Sequence, residues 1–491
     1  MTIAFQRYPS SNRVPGAFVE NDATKANTGV PNLRTLIIGQ QLSSGTYTAG
    51  VPVICQGVGA TQAAAGYGSH LEKMVRRYRN LDSFGTVWLL PLADDGAAVA
   101  ATSTILFTAA STAAGALPLY LGDDIVNVGI TSGMATTAIA TAVAAAVNAI
   151  NYLPVTATAS ASTVTFTAKN KGACGNEVLI NVAYGGALAG EFVPAGVTYT
   201  ITQPSNGATN PSLTTPLLNL GDEPFDFICF PYNDTTSLDA HKSFMDDITG
   251  RWAWSRMIYG QSFGSFRATL GAATTLLTAR NDPRISLMPA DSSITPAWIW
   301  AAEITAQTAT SLRADPAVPV QYLPLAVKAP PIANRFVLTD RNTLLYSGGS
   351  TFRVGTDGTV IIERLATTYQ KNAAGVADNS WLDVETNASL AYVDRDLHDY
   401  LLSVFPRKVF VPDNTPAPTG SNRINARTVQ AAIVSRYYYL QDEVGIVVNA
   451  DQFAAQVQVE SAGNGLCKVM APVQLCNQLR QIAILVQFTK P

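Results

Sequence analysis

Between Phe225 and Ala314 short apolar runs alternate with longer amphipathic ones, and this alternation restricts the fold more than any other feature of the 491 residues. "FDFICFPY" reads as a strand, "TSLDAHKSFMDDITGRWAW" as a helix, "SRMIYG" as a strand and "SFRATLGAATTLLTAR" as a helix. "RISLMP" and "PAWIWAAEITAQTATSLRA" repeat the pair. Strands separated by helices call for βαβ units, right-handed crossovers and a parallel sheet. The same grammar opens the chain: "LRTLIIG" and "TVWLLPL" are continuous apolar strands of the kind buried on both faces. A helix lies between them, with Leu71, Met74, Val75 and Tyr78 at helical spacing.

The two stretches are separated by a segment of different composition. No basic residue occurs between Arg79 and Lys169, and Ala and Thr dominate. "STILFTAA", "ALPLYLG", "DDIVNVGI", the pair in "VTATASASTVTFTA" and "EVLINVAY" read as strands, and "MATTAIATAVAAAVNAIN" as a helix. Residues 96–205 are therefore expected to be a small inserted α+β domain, closed by the turn-rich "QPSNGATNPS". It interrupts one α/β domain made of 31–95 and 206–330. Residues 331–475 form a C-terminal α+β domain. There "STFRVGTDGTVIIER" is a hairpin turning at Asp357–Gly358. Leu390, Val393, Leu397, Leu401 and Val404 share one helical face, and Val429, Ile433, Tyr437, Leu440 and Val444 another. "AAQVQVESAG" and "LCKVMAP" read as strands. Residues 1–30, broken by Pro9, Pro15 and Gly16, read as an extended arm, and 476–491 as a terminal arm strand. In that strand Ile482, Ile484, Val486 and Phe488 make a branched and aromatic run with no Gly or Pro. A sticky strand at a chain end needs a partner.

Several function classes lose support. A net charge of −3 supplies no basic footprint for nucleic acid. Low charge on a large apolar chain points instead to a surface covered by other subunits. Cys55, Cys174, Cys229, Cys467 and Cys476 show no metal-ligand spacing, and an odd, sparse set suits free thiols in a reducing cytosol. With three histidines a zinc site is not expected, and no Walker or dinucleotide loop is present, so no cofactor is implied. The start of the chain has no signal-peptide pattern, and the apolar tract 135–150 is too short to insert in a bilayer.

One motif raises catalysis. Gly260-Gln261-Ser262-Phe263-Gly264 matches G-x-S-x-G between an expected strand and an expected helix, the setting of a serine hydrolase elbow. A base should follow the serine, and the one downstream histidine, His398, reads as the partner of Asp394 one turn earlier. His70 and His241 read as solvated helix positions. Asp94–Asp95, Asp123–Asp124 and Asp246–Asp247 read as turn or surface acids. No catalytic set is expected, and hydrolysis at Ser262 stands as the alternative to a structural role.

Arg341–Thr386, "RNTLLYSGGSTFRVGTDGTVIIERLATTYQKNAAGVADNSWLDVET", closely resembles the contractile tail sheath proteins of Mu-like phages. "RVPGAFVENDATKANTG", "RTLIIGQ", "GSHLEKMVRRYRNLDSFGTVWLLPL", "NDPRISLMP" and "RQIAILVQF" resemble the same family. The resemblance implies a subtilisin-like fold for the interrupted α/β part, without its chemistry. It implies a virion protein, assembled in the host bacterial cytoplasm as stacked hexameric rings around a tail tube, which contracts on a signal from the baseplate. Partners would be further copies, the tube protein, the baseplate and the tail terminator, with no nucleic-acid contact or membrane insertion. Both arms would add strands to neighbouring copies through Arg13, Val14 and Phe18 at one end and Ile482, Ile484, Val486 and Phe488 at the other. Arg423 and Arg427, one turn apart near a helix start, are the candidates for facing the tube.

Overall fold

A computed structural model describes residues 33–413 and 422–490. Arg13, Val14 and Phe18 therefore lie outside the described residues. The chain enters through β1 (Thr35–Gln40) and β2 (Val53–Ile54), passes through α1 (Val58–Ala65) and α2 (His70–Leu81), and returns as β3 (Val87–Leu92). Every β1 residue is buried, as a strand covered on both faces requires. Ser69 caps α2, its side chain accepting from the Glu72 N–H at 3.2 Å. Leu71, Met74, Val75 and Tyr78 are fully buried, as their spacing anticipates.

After β3 come β4 (Ala100–Ala109), β5 (Gly115–Leu121), β6 (Asp124–Ile130), α3 (Thr136–Asn148), β7 (Val155–Ser160), β8 (Thr163–Lys171), β9 (Ile180–Val182) and β10 (Thr198–Thr202). They form two antiparallel sheets, β10-β4-β8-β7 and β6-β5-β9. Ile139, Ala140, Val143 and Val147 of α3 are buried in the core they share. β10 is a strand that the sequence reading omitted.

The chain then resumes through α4 (Thr214–Leu218), β11 (Phe227–Cys229), α5 (Thr235–Met245), β12 (Gln261–Phe266), α6 (Leu270–Thr278), β13 (Ile285–Pro289) and α7 (Ala297–Ala314). Among the described residues the central sheet has the order β13-β12-β11-β1-β3-β2. All its neighbours are parallel except β2 against β3. β1 thus joins the strand before the long excursion to the strand after it. One strand assignment is corrected: "SRMIYG" is irregular, and β12 begins at Gln261.

Two of the acid pairs also make long-range contacts. Asp94 accepts from Gln40 Nε2 at 2.7 Å, Asn170 Nδ2 at 3.0 Å and the Lys171 N–H at 2.9 Å, which ties the start of the excursion and the end of β8 to β1. Asp123 pairs with Arg77 and Asp124 with Lys73, both on α2. Arg77 also lies 3.4 Å from Glu303, a buried carboxylate on α7 that accepts the Ala326 N–H at 2.6 Å. His70 is buried too, not solvated: its Nδ1 accepts the Gln40 N–H at 3.2 Å, and burial pushes its pKa down to about 3.

The last region contains β14 (Pro324–Leu325), α8 (Leu338–Tyr346), β15 (Thr351–Val354) and β16 (Val360–Arg364), with sheet order β14-β16-β15. The β15–β16 turn carries the left-handed Gly358 (φ 84°), and the Gly355 N–H donates to Thr359 at 2.8 Å. Then come α9 (Val384–Val404), β17 (Val409–Phe410), β18 (Arg423–Ile424), α10 (Ala426–Tyr439), α11 (Ala450–Gln456), β19 (Gln458–Ser461) and β20 (Cys467–Met470). Val393, Val429, Ile433, Tyr437, Leu440 and Phe453 form their core, with Tyr437 and Phe453 stacked at 3.8 Å. Leu397 and Leu401 pack on its margin, whereas Val404 is exposed. The expected strand at 454–463 is part helix, because α11 takes its first three residues.

Burial pushes the Glu303 carboxyl up to about 7, against the opposing pull of Arg77 and the Ala326 and Val327 N–H groups. The folded chain then keeps a proton that the unfolded chain releases near the ordinary glutamate pKa of about 4.3. The contribution is complete below that value and is lost as pH rises through about 7. Glu303→Gln should flatten the decline in melting temperature between about pH 5 and pH 8, removing up to about 3 kcal/mol of pH-dependent stability.

Candidate functional site

Ser262 occupies the second position of β12, inside the strand. The G-x-S-x-G expectation is corrected accordingly: the serine is not on a strand-to-helix turn, and it is 0% exposed. The structure nevertheless supplies what sequence reasoning missed. His241, expected to be solvated, is buried on α5 with Nε2 2.7 Å from Ser262 Oγ. Its Nδ1 lies 3.3 Å from Asp282 Oδ2 but off the hydrogen-bonding line. Burial pushes the Asp282 carboxyl up, and the facing imidazole and the Arg284 N–H more than offset this, leaving it below its ordinary value. Serine, histidine and aspartate are thus brought together, in the chain order His, Ser, Asp. No local pattern marks them, since 21 and 20 residues separate successive members.

A nucleophile has to meet a substrate, and this serine is sealed by the sheet and by Phe230, whose ring sits edge-on to His241 at 5.0 Å. Buried between α5, β12 and β13, the cluster pairs His241 Nε2 with Ser262 and sets Asp282 beside Nδ1. The remaining histidine, His398, is on α9 and exposed, and it pairs with Asp399 at 2.9 Å rather than with Asp394. Ser262→Ala leaves His241 Nε2 without its partner, so a loss of about 1–3 kcal/mol is expected by calorimetry. Wild type and variant should both fail to react with a fluorophosphonate probe while folded.

The other site is the end of the chain. After β20 the backbone lies against the C-terminal core: Val448 N–H donates to Gln474 at 2.9 Å, Cys476 N–H to Ile446 at 3.1 Å, and Tyr437 Oη to Val448 O at 2.9 Å. Arg480 is the next fixed point. Its Nη2 donates to Glu385 at 2.7 Å and Asp383 at 3.1 Å. Glu385 also accepts the Val320 N–H at 2.6 Å, and its side chain is fully buried. Burial pushes the Glu385 carboxyl up, with Arg480 pulling the other way.

Beyond Arg480 the chain leaves the surface. Ile482, Ile484, Leu485, Val486 and Phe488 are 73–84% exposed, and residues 481–490 join no strand. The expected terminal strand is therefore not paired within its own subunit. Arg423 and Arg427 are both exposed, the first in β18 and the second in the first turn of α10, whose cap is Asn425. All five cysteines are free thiols, three of them buried. Among the described residues no helix is long and apolar enough to cross a membrane.

Residues 206–368 match the phage tail sheath protein central domain family. The Mu-like prophage FluMu tail sheath protein of Haemophilus influenzae is 33% identical over 492 residues, covering 99% of this chain and all of that one. Among solved structures, the sheath tail protein of Desulfitobacterium hafniense has a TM-score of 0.50 at 12% identity, over 94% of this chain and 97% of its own. The anti-feeding prophage helical sheath in its contracted state has a TM-score of 0.47, also at 12% identity, over 98% of this chain and all of that one. The full-length match in sequence decides the matter: this chain belongs to the phage tail sheath family, the structural sheath of contractile tails.

Proposed function

We propose that this subunit assembles as stacked hexameric rings around a tail tube, and that contraction of the stack drives the tube through a host envelope. The observation that carries this reading is the C-terminal arm. It leaves its own subunit at Arg480 and holds five large apolar side chains in water over residues 482–488. An edge of unpaired backbone and exposed apolar side chains is an unstable arrangement for an isolated protein and a useful one for a polymer. Strand addition to a neighbouring copy satisfies the backbone groups, while alternate side chains set register. Sheets β17–β18 and β19–β20 are two-stranded among the described residues and offer edges for it. At a net of about 1 kcal/mol per hydrogen bond, one arm contributes a few kcal/mol before side-chain burial. Repeated along the stack, such links hold copies together while inter-subunit contacts exchange.

The finer points belong to the same reading. Residues 31–95 and 206–330 form a subtilisin-like domain without its catalysis, 96–205 an outer inserted domain and 331–475 the C-terminal core domain to which neighbouring arms add strands. Arg13, Val14 and Phe18 of the N-terminal arm join the shared sheet. Assembly takes place in the host cytoplasm, with the baseplate and tail terminator at the two ends. Arg423 and Arg427 face acidic groups on the tube: Arg427, in the first turn of α10, opposes the helix dipole, and an outside acid relieves that.

A chain ending before Arg480 should fold, with its melting temperature a few degrees lower at most, and should yield no tubes by negative-stain electron microscopy. Normal tubes from it would refute the arm's role. Charge reversal of Arg423 and Arg427 together should leave sheath polymers intact and abolish their retention on tubes in co-sedimentation. Undiminished co-sedimentation would remove both residues from the interface.

A further inference from the structure

We propose that Arg480 is a releasable clamp that gives the C-terminal arm two working lengths, resting on the reading of that arm as the link between copies. The contacts that hold the arm root are uneven. Arg480 makes both of its short bonds through Nη2. Its Nη1 reaches Gln321 only at 3.5 Å, and its Nε is buried with no hydrogen-bond partner. The neighbouring Arg364 shows the complete alternative, with Nε and Nη2 on the two oxygens of Asp383 at 2.9 and 3.0 Å. Asp383 therefore keeps a full partner if Arg480 departs, and Glu385 keeps the Val320 N–H.

Upstream of the clamp, residues 477–479 are held by side-chain amides alone: Gln321 Nε2 to Leu479 O at 3.1 Å, and Gln478 Nε2 to Ala317 O at 3.5 Å. The next backbone anchor is Cys476 on Ile446. With the clamp closed, the free arm runs from Gln481 to Phe488, which at about 3.3 Å per residue spans roughly 26 Å. With it open the arm starts at Asn477 and spans roughly 40 Å. A sheath that changes its subunit spacing on contraction needs a link that stays joined at two separations. Arg480 supplies the second length without breaking the exchanged strand, and so acts as a positioning residue.

The test is cryo-electron microscopy of assembled wild-type sheaths before and after contraction, together with Arg480→Ala sheaths. Residues 477–480 should lie against Asp383 and Glu385 in one wild-type state and be drawn off the subunit in the other, while 482–488 keep the same strand partners in both. Arg480→Ala should form tubes, show 477–480 off the subunit in both states and contract at a lower temperature, and Arg480→Lys should restore part of the threshold. Arg480 on Glu385 in both wild-type states would overturn the clamp, whether or not the variant assembles. An unchanged contraction threshold in Arg480→Ala tubes would do the same. If the chain ending before Arg480 still forms tubes, the arm reading itself fails, an outcome distinct from failure of the clamp.

Discussion

The ladder β3–β1–β11 is the constraint on which the remainder depends. β1 takes one neighbour from before the excursion at 96–205 and one from after it, so the sheet closes only when the ends of that excursion meet. Because the entropy of closing a loop grows slowly with length, a long insertion is tolerated if it makes its own strand pairings and its ends are held. The antiparallel sheets of 100–202, whose strands pair with one another, meet the first condition. Val99 and Ala208, which exchange backbone hydrogen bonds at 3.1 and 3.3 Å, meet the second, and Asp94 adds bonds to Gln40 of β1 and to Asn170 and Lys171 at the end of β8. Arg77 extends the same logic across the interface by facing Asp123 of the insertion and Glu303 of α7. Polar groups thereby position the layers, and apolar burial supplies most of the stability.

What was legible in the sequence was what short-range pattern encodes. β1, β3 and β13 are apolar runs, and α2, α3 and α10 keep helical spacing, so each was found close to its place. β12 was shifted because "QSFGSF" is half polar, while "SRMIYG" before it has the better strand composition. The polar residues of β12 are tolerated because their partners come from elsewhere: Ser265 donates to Met288 O at 2.7 Å, and Ser262 meets His241. The same reason hid the buried polar residues of α9. Glu385, Asn387 and Ser389 are buried because Arg480, Arg284 and Pro316 O lie opposite, at separations of 73–103 residues. Long-range polar pairing leaves no periodic trace.

The serine cluster separates composition from context. Ser262, His241 and Asp282 stand near the geometry of a catalytic set, yet the serine is fully buried within a strand of the central sheet. G-x-S-x-G carries chemistry only when its strand ends at the motif, and here the strand begins there. Local sequence matches the pattern, whereas strand register decides whether the serine can act.

The exposed arm completes the physical picture. Its apolar side chains have no place in the subunit's own cores, and the chain belongs to the phage tail sheath family, which together motivate the proposal that another copy completes the arm. The most direct measurement is cryo-electron microscopy of the assembled sheath at a resolution that traces the main chain past Arg480. The account expects residues 482–488 to lie as a strand hydrogen-bonded to a sheet edge in a different copy. Density folding the arm back onto its own subunit, or leaving it in solvent in the assembled sheath, would contradict it.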